Sequence, residues 1–292
     1  MPMFSVVIPC YNSSNTIYKT LLSVLNQSFT DFELVVVDDF SDDTDALSKI
    51  IDDFSDKGLS IKTLYSKEKL NGAGARNKGV EISSGEYIAF LDADDEWNAD
   101  KLLKCQQLYS VELNKDKILY SSVAIVKGDK IIKKMPLNSY DPKIETLSNY
   151  IFGPVGFIQT SAIVIKKELF NNIKFDDRFM RHQDYDFCIR ADYHGLAFLY
   201  IPEELVIYNI VDRSSAKKKG ESTKYSKWWL EMMSPYLTRE DTITYNAFKL
   251  PHKYVSEGRN KSAVMIFLIN FCRTSLLNKK RFFKLALGKI KK

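Results

Sequence analysis

Residues 85–95 read GEYIAFLDADD. Tyr87 to Leu91 is a continuous apolar run that passes without a spacer into acid at Asp92. A short apolar run bounded by glycine and by carboxylates suits a strand buried on both faces, as in a parallel sheet. Three strand-like segments precede it, the first two of them apolar runs. FSVVI (4–8) stops at Pro9, ELVVV (33–37) stops at Asp38, and a third covers Ile61 to Tyr65. Helical spacing fills the gaps. Residues 15–27 place Ile17, Leu21, Leu22, Val24 and Leu25 on one face, with Asn15 as the cap. Residues 43–56 turn Leu47, Ile50, Ile51 and Phe54 inward, and 73–83 suit a third helix. A helix over 98–112 and a strand over 118–126 continue the alternation. This rhythm predicts an α/β fold with an open, doubly wound, mostly parallel sheet.

Further along, the pattern loosens. Strands are expected at 161–165 and 197–210, with a helix at 184–194. Lys217 to Gly220 marks a connector. Helices are expected over 222–234 and over 238–290, the latter broken near Pro251 and Gly258. The expected organisation is one catalytic domain over 1–210, with halves at about 1–97 and 98–210. A flexible loop over 211–225 and a helical, basic C-terminal region over 226–292 follow.

Composition narrows the class. The chain has 292 residues, 45% hydrophobic and 27% charged, which excludes disorder and collagen-like structure. Cys10, Cys105, Cys188 and Cys272 are far apart, which argues against a zinc site or a disulfide scaffold and suits reduced thiols of a cytosolic protein. No secretory leader or membrane span is expected. Net charge is +5, but residues 279–292 alone carry seven Lys or Arg and no acid.

In doubly wound sheets, ligands sit beyond the carboxyl ends of the strands. Three of the first four strand ends carry suitable residues: Pro9 to Asn12, Asp38-Asp39, and Asp92-Ala93-Asp94-Asp95. In extended backbone, Asp92 and Asp94 face one way and Asp95 turns aside or caps the next helix. Crowded carboxylates favour a hard divalent cation bridging to a diphosphate, or they form a plain acidic cap. Asp39 is placed to accept a ring N–H of a base such as uracil, or to belong to a capping loop. In NGAGARNKG (71–79), small residues let backbone approach a ligand and Arg76 suits a phosphate or a base carbonyl. The dinucleotide and phosphate-loop glycine patterns are absent. Asp184, in RHQDYD (181–186), is a helix cap or a general base.

Taken together, VVIPCYN (6–12), VVDDFSDD (36–43), NGAGARNKG (71–79), GEYIAFLDADD (85–95) and HQDYDF (182–187) resemble the family 2 glycosyltransferases of GT-A fold, over roughly residues 3–210. The resemblance implies the following roles. Pro9, Tyr11 and Asp39 hold the nucleobase, with Tyr11 stacking on it, and Asn71 and Arg76 lie nearby. Asp92 and Ala93 contact the donor, with Asp92 reaching the ribose or the metal. Asp94 is the principal ligand of Mn²⁺ or Mg²⁺, and Asp184 is the catalytic base. Two positions depart from the family pattern. Gln183 stands where Glu is usual, which bears on the acceptor. Phe40 replaces the Gly of VDDGS, which is expected to alter that loop.

The implied activity is inverting, metal-dependent transfer from a UDP-sugar to a glycan acceptor. The setting is bacterial surface polysaccharide synthesis, O-antigen or capsule, with the acceptor on a polyprenyl diphosphate at the inner face of the cytoplasmic membrane. A sugar nucleotidyltransferase expects a Gly-rich basic loop after the first strand, where this chain has Pro9 to Asn12. A non-catalytic binding protein is opposed by retention of Asp39, Asp94 and Asp184. In the loop 212–224, Arg213 and Ser214 are candidate diphosphate contacts, against a plain linker. The basic tail 279–292 suits an anionic membrane surface, a solvated charged helix or a nucleic-acid patch. The membrane is favoured over nucleic acid because the resemblance supplies a lipid-linked acceptor. The helical C-terminus is also a candidate homodimer contact.

Overall fold

The computed structural model describes residues 1–210 and 222–288. Its first half runs β1 (Phe4–Cys10), α1 (Ile17–Leu25), β2 (Phe32–Asp38), α2 (Thr44–Asp56), β3 (Ile61–Tyr65), α3 (Asn71–Ile82) and β4 (Tyr87–Phe90). Next come β5 (Glu96–Trp97), α4 (Lys101–Tyr109), β6 (Ile118–Lys127), β7 (Lys130–Met135), α5 (Leu147–Phe152), β8 (Ile163–Lys166) and α6 (Lys167–Ile173). The remainder is α7 (Gln183–Tyr193), β9 (Phe198–Asn209), α8 (Thr223–Met232), α9 (Arg239–Phe248), α10 (Leu250–Ser256), α11 (Asn260–Phe271) and α12 (Leu276–Ala286).

Two compact units emerge. The first is built from Met1–Lys134, Ile158–Phe187 and the strand after Gly195. Its sheet has the order β3-β2-β1-β4-β8-β6-β9-β5, with β7 paired to β6. The strands β3, β2, β1 and β4 are parallel, β8 runs antiparallel to β4 and β6, and β9 runs parallel to β6. The chain winds outward from β1 to β3 and then returns to lay β4 on the other side of β1. The crevice at such a reversal is where doubly wound sheets bind ligands. Both faces of the central strands are covered: Phe4, Val6, Val7 and Ile8 of β1 and Leu34 to Val37 of β2 are wholly buried. Pro9 does not end β1, which pairs on to Cys10. The helix α3 packs close over this centre, and a Cβ on Gly79 would lie 2.4 Å from Val7 Cγ1. Gly79 therefore serves helix–sheet contact, whereas the sequence reading gave the glycines of this motif to ligand approach.

An aromatic cluster seats α6 and the start of α7 against β4. Phe90 meets Phe170 and Phe175 at ring-centroid distances of 5.4 and 5.2 Å, and Phe175 meets Phe187 at 4.7 Å. Packing of this kind holds the head of α7 near the end of β4.

The second unit contains Met135–Phe157, Cys188–His194 and the C-terminal helices. Phe152 packs between Trp229 and Tyr245, with centroids at 6.1 and 5.0 Å. The side chain of Thr238 caps α9 in a reciprocal box with Asp241, and Asp241 also accepts from Thr146 Oγ1 at 2.6 Å. Residues 135–157 and 188–194 thus group with the C-terminal helices. The partnership is a long-range packing of α5 on α9, which leaves no local mark in the sequence. The expected loop over 211–225 is helical from Thr223 onward, and its residues 211–221 lie outside the described residues.

The loops after β1 and β2 are stapled together. Asn12 N donates to Ser41 Oγ at 2.9 Å, Asp42 N donates to Asn12 Oδ1 at 2.8 Å, and Ser14 N donates to Asp43 Oδ2 at 2.8 Å. Ser41, Asp42 and Asp43 therefore bind the neighbouring loop. Phe40 stands at φ +58° and is largely exposed. It adopts the left-handed backbone that a glycine would take, so the exchange adds strain without opening the loop.

Two stability changes should follow, both read by urea unfolding. Gly79→Ala should destabilise by about 1–3 kcal/mol, because the stiff, buried Val7 cannot yield. Phe40→Gly should stabilise by about 1 kcal/mol through relief of the left-handed conformation.

Candidate active site

Arg76, on the inner side of α3, is buried and forks between two elements. Its Nη2 pairs with Asp92 Oδ1 just past β4, and its Nη1 donates to Gln183 Oε1 at the head of α7, at 2.7 Å. The guanidinium also lies 5.5 Å from the centroid of the Phe175 ring. Gln183 Nε2 donates to Phe179 O at 2.6 Å, which fixes the amide. Gly72 leaves room for this fork, since a Cβ there would stand 3.0 Å from both Arg76 Nη1 and Gln183 Oε1. Asp184 follows directly, and its Oδ1 accepts from Tyr185 N at 2.9 Å. Asp92, Arg76 and Asp184, singled out from separate motifs, thus share one neighbourhood. Four residues of the motif segments adopt positive φ: Asn12 at +48°, Phe40 at +58°, Asn71 at +60° and His182 at +62°. Strain of this kind gathers where surroundings hold side chains in place for binding.

The base-binding candidates lie at the ends of β1 and β2. Asp39 is buried and accepts from Leu70 N at 2.5 Å, while its other oxygen pairs with Lys69 Nζ at 2.7 Å. Lys69 Nζ also sits over the Tyr11 ring. Burial pulls the Lys69 pKa below its usual value despite the opposing pull of Asp39. Lys69 is a site residue that the motif reading missed, because it lies two positions ahead of NGAGARNKG.

The acidic segment departs from the extended geometry expected of it. Asp95 N donates to Asp92 O at 3.0 Å and closes a turn, so alternate residues do not share a direction. Asp92 faces Arg76. Asp94 instead lines a cavity of about 300 Å³ with Thr16, Lys19 and Asn209. Asp95 is wholly buried and accepts from Gln159 Nε2 at 2.7 Å, Ser161 Oγ at 2.6 Å and Asn209 N at 3.2 Å. Burial, then the charges of Asp92 and Asp94, push the Asp95 pKa well above the usual carboxylate range. Asp95 anchors the turn, and it does not cap α4, whose N-cap is Asp100. Gln159, Ser161 and Asn209 came from stretches without a motif, and only the fold brings them here.

Among the described residues, no three His, Cys, Asp or Glu side chains form a ready-made ion cage. The donor set still fits a hard cation held by one or two carboxylates, with phosphate oxygens supplying the rest. Asp94 and Asp92 are the carboxylates that could serve it, and Asp92 is paired with Arg76. Burial is the main cause of the raised Asp95 pKa, and the charges of Asp92 and Asp94 add a smaller contribution that such an ion would relieve.

Residues 5–174 match the family described as Glycosyl transferase family 2. Over 291 residues, 99% of this chain and 96% of the relative, the sequence is 44% identical to the amylovoran biosynthesis glycosyltransferase AmsB of Erwinia amylovora. The chain belongs to glycosyl transferase family 2. It is also 31% identical over 183 residues to WfgD of Escherichia coli, covering 63% of this chain and 67% of that protein. WfgD is named a UDP-Glc:alpha-D-GlcNAc-diphosphoundecaprenol beta-1,3-glucosyltransferase. In three dimensions the chain resembles Staphylococcus aureus TarS 1–349 in complex with UDP-GlcNAc. The TM-score is 0.67 at 19% identity, covering 91% of this chain and 81% of that one. A mannosyltransferase of Pyrobaculum calidifontis in complex with GDP-Man and Mn²⁺ gives 0.61 at 17% identity, covering 99% and 81%. These likenesses establish the GT-A fold.

Among the candidate-site carboxylates of this family 2 chain, Asp184 is one whose pKa burial raises. Burial raises its pKa from 3.8 to about 6; the Asp92 charge adds to this, while the Tyr185 N–H and Arg76 oppose it. Some solvent reaches the residue, which moderates the energetic cost. The sign is fixed by linkage. A carboxyl whose pKa is raised on folding destabilises the folded state above that raised value. The penalty fades as pH falls toward the unfolded value and is gone below it.

Asp184→Asn, which keeps the shape and cannot ionise, should therefore be more stable than the parent at pH 7 by about 2 kcal/mol. The gain should shrink between pH 6 and pH 4 and vanish below. Urea melts across that range, without donor or metal, would show it, and a pH-independent difference would refute the burial argument.

Proposed function

We propose that this family 2 glycosyltransferase moves a sugar from a UDP-sugar to a hydroxyl of a glycan carried on a polyprenyl diphosphate, with inversion, in assembly of a bacterial surface polysaccharide. The observation that carries the reading is Asp184, a carboxyl of raised pKa beside the Arg76–Asp92 pair at the strand-end crevice. The names of AmsB and WfgD support the polysaccharide setting and the lipid-linked acceptor.

The donor's base lies against Tyr11, Pro9 and Asn71, and its ring N–H goes to Asp39. To receive that N–H, Asp39 exchanges part of its contact with the Lys69 ammonium. Arg76 holds Asp92, so that Asp92 meets the donor in one orientation, with Ala93 leaving space beside it. A divalent cation on Asp94, Mn²⁺ or Mg²⁺, would supply Lewis-acid neutralisation of the charge that gathers on the leaving diphosphate. The manganese in the P. calidifontis mannosyltransferase complex supports that reading. Asp184 takes the acceptor's proton as the acceptor oxygen bonds to the anomeric carbon. The bond from that carbon to the diphosphate oxygen breaks on the opposite face, and UDP departs. Attack from the face opposite the leaving group turns an α-linked donor into a β-linked product. Arg213 and Ser214 lie outside the described residues.

Asp184→Asn should abolish transfer while leaving UDP affinity nearly unchanged. UDP release in the presence of acceptor and Mn²⁺, and calorimetric titration with UDP, provide the two readings. Substantial residual transfer would remove Asp184 from the role.

A further inference from the structure

The helix α11 is apolar on all sides, yet only one side is packed. Phe267 and Phe271 join Phe248 of α9 and Phe282 of α12 in one cluster, with Phe271 and Phe282 centroids 4.9 Å apart. On the other side Val264, Met265, Leu268 and Ile269 are each between 46% and 57% exposed. Helical spacing sets these four on a continuous stripe. Lys261 stands at one end of it and the exposed Cys272 at the other. The helix α12 carries a second stripe. Leu276, Phe283 and Leu287 are exposed on one side, with the exposed Lys280 and Lys284 beside them. Phe283 lies 5.8 Å from Phe271, which brings the exposed side of α12 against the C-terminal end of α11. The expectation for the tail needs one revision, because Phe282 belongs to the internal cluster and not to the outer face.

Charge identifies the occupant. From Arg259 to Gly288 there are seven Lys or Arg and no acid. Arg259 and Arg281 are paired with Glu257 and Glu145. Lys261, Arg273, Lys280 and Lys284 have no acidic partner among the described residues. A second copy meeting this face about a two-fold axis would bring cation to cation. An anionic lipid surface meets both features, since acyl chains receive the apolar stripe and headgroups receive the lysines. No helix among the described residues is long and apolar enough to cross a membrane, so the contact is one of lying on the surface.

We propose that the exposed face of α11, continued by Leu276, Phe283 and Leu287, docks this protein on an anionic lipid bilayer. The proposal draws on no part of the sugar-transfer reading, and its failure would leave that reading standing.

The test is co-sedimentation of the full chain with vesicles of phosphatidylcholine, with and without phosphatidylglycerol, at low and high salt. The protein should pellet with phosphatidylglycerol vesicles and partition about tenfold less onto phosphatidylcholine alone or at high salt. The double variants Leu268→Glu/Ile269→Glu and Lys280→Glu/Lys284→Glu should each bind about tenfold more weakly. All four side chains are exposed, so melting temperature and UDP affinity should be unchanged. The proposal fails if the parent stays in solution with phosphatidylglycerol vesicles at low salt, or if Leu268→Glu/Ile269→Glu pellets like the parent. It fails equally if analytical ultracentrifugation shows a dimer that Leu268→Glu splits while vesicles are ignored, since the face is then an interface between copies.

Discussion

A buried guanidinium holds the site together. Arg76 is desolvated on α3, and a cation so placed must be paired and hydrogen-bonded to be tolerated. Its partners are Asp92 beyond β4 and Gln183 at the start of α7. One side chain thereby fixes the distance between the donor side of the sheet and the helix that carries Asp184. The Phe90–Phe175–Phe187 cluster beneath it supplies apolar packing for the same junction. Polar and apolar contacts thus agree on where α7 begins, and the proposed role of Asp184 as general base depends on that agreement to hold it at a fixed place.

The centre of the sheet was legible because β1, β2 and β4 are buried on both faces and read as continuous apolar runs bounded by polar strand ends, whereas the edge strand β3 is partly exposed. Asp39, Arg76, Asp92 and Asp184 were chosen as candidates for a related reason. Asp39, Asp92 and Asp184 are charged residues at a strand end or helix head, and Arg76 lies within the helix of its motif. Other features left no local sign. The edge strand β7 exposes Ile131 and Ile132 beside lysines and lacks the alternation of a half-buried strand. The two-residue β5 is a bridge dictated by β9. Helices α5 and α6 are short, and tertiary packing sustains them more than any long periodic face. The turn at Asp92–Asp95 overrode the two-residue alternation, because Gln159, Ser161 and Asn209 draw Asp95 inward. None of those three partners is near it in sequence.

The two base-binding groups are already engaged with one another through Lys69. Its ammonium rests between the Asp39 carboxylate and the Tyr11 ring, and desolvation has weakened its hold on the proton. In the proposed reading, a nucleobase entering this place trades one ring-face contact and part of one ion pair for its own stack and N–H bond. That exchange keeps a buried carboxylate from standing unpaired before the donor arrives.

Gln183 completes the electrostatic account. With the Arg76 cation and the carboxylates of Asp92 and ionised Asp184, the cleft sums to one negative charge. A Glu at 183, usual in the resemblance, would add a second negative charge beside Asp184 and raise its pKa further. The neutral amide still fills the same place, accepting from Arg76 and donating to Phe179 O. It therefore preserves the geometry of the fork while leaving Asp184, at about 6, ionised at neutral pH. Any acceptor group that approaches this position meets an amide and a guanidinium, without the added carboxylate. The amide oxygen is already committed to Arg76, so in the proposed reading the acceptor is oriented chiefly by its bond to Asp184 and by surfaces outside this fork.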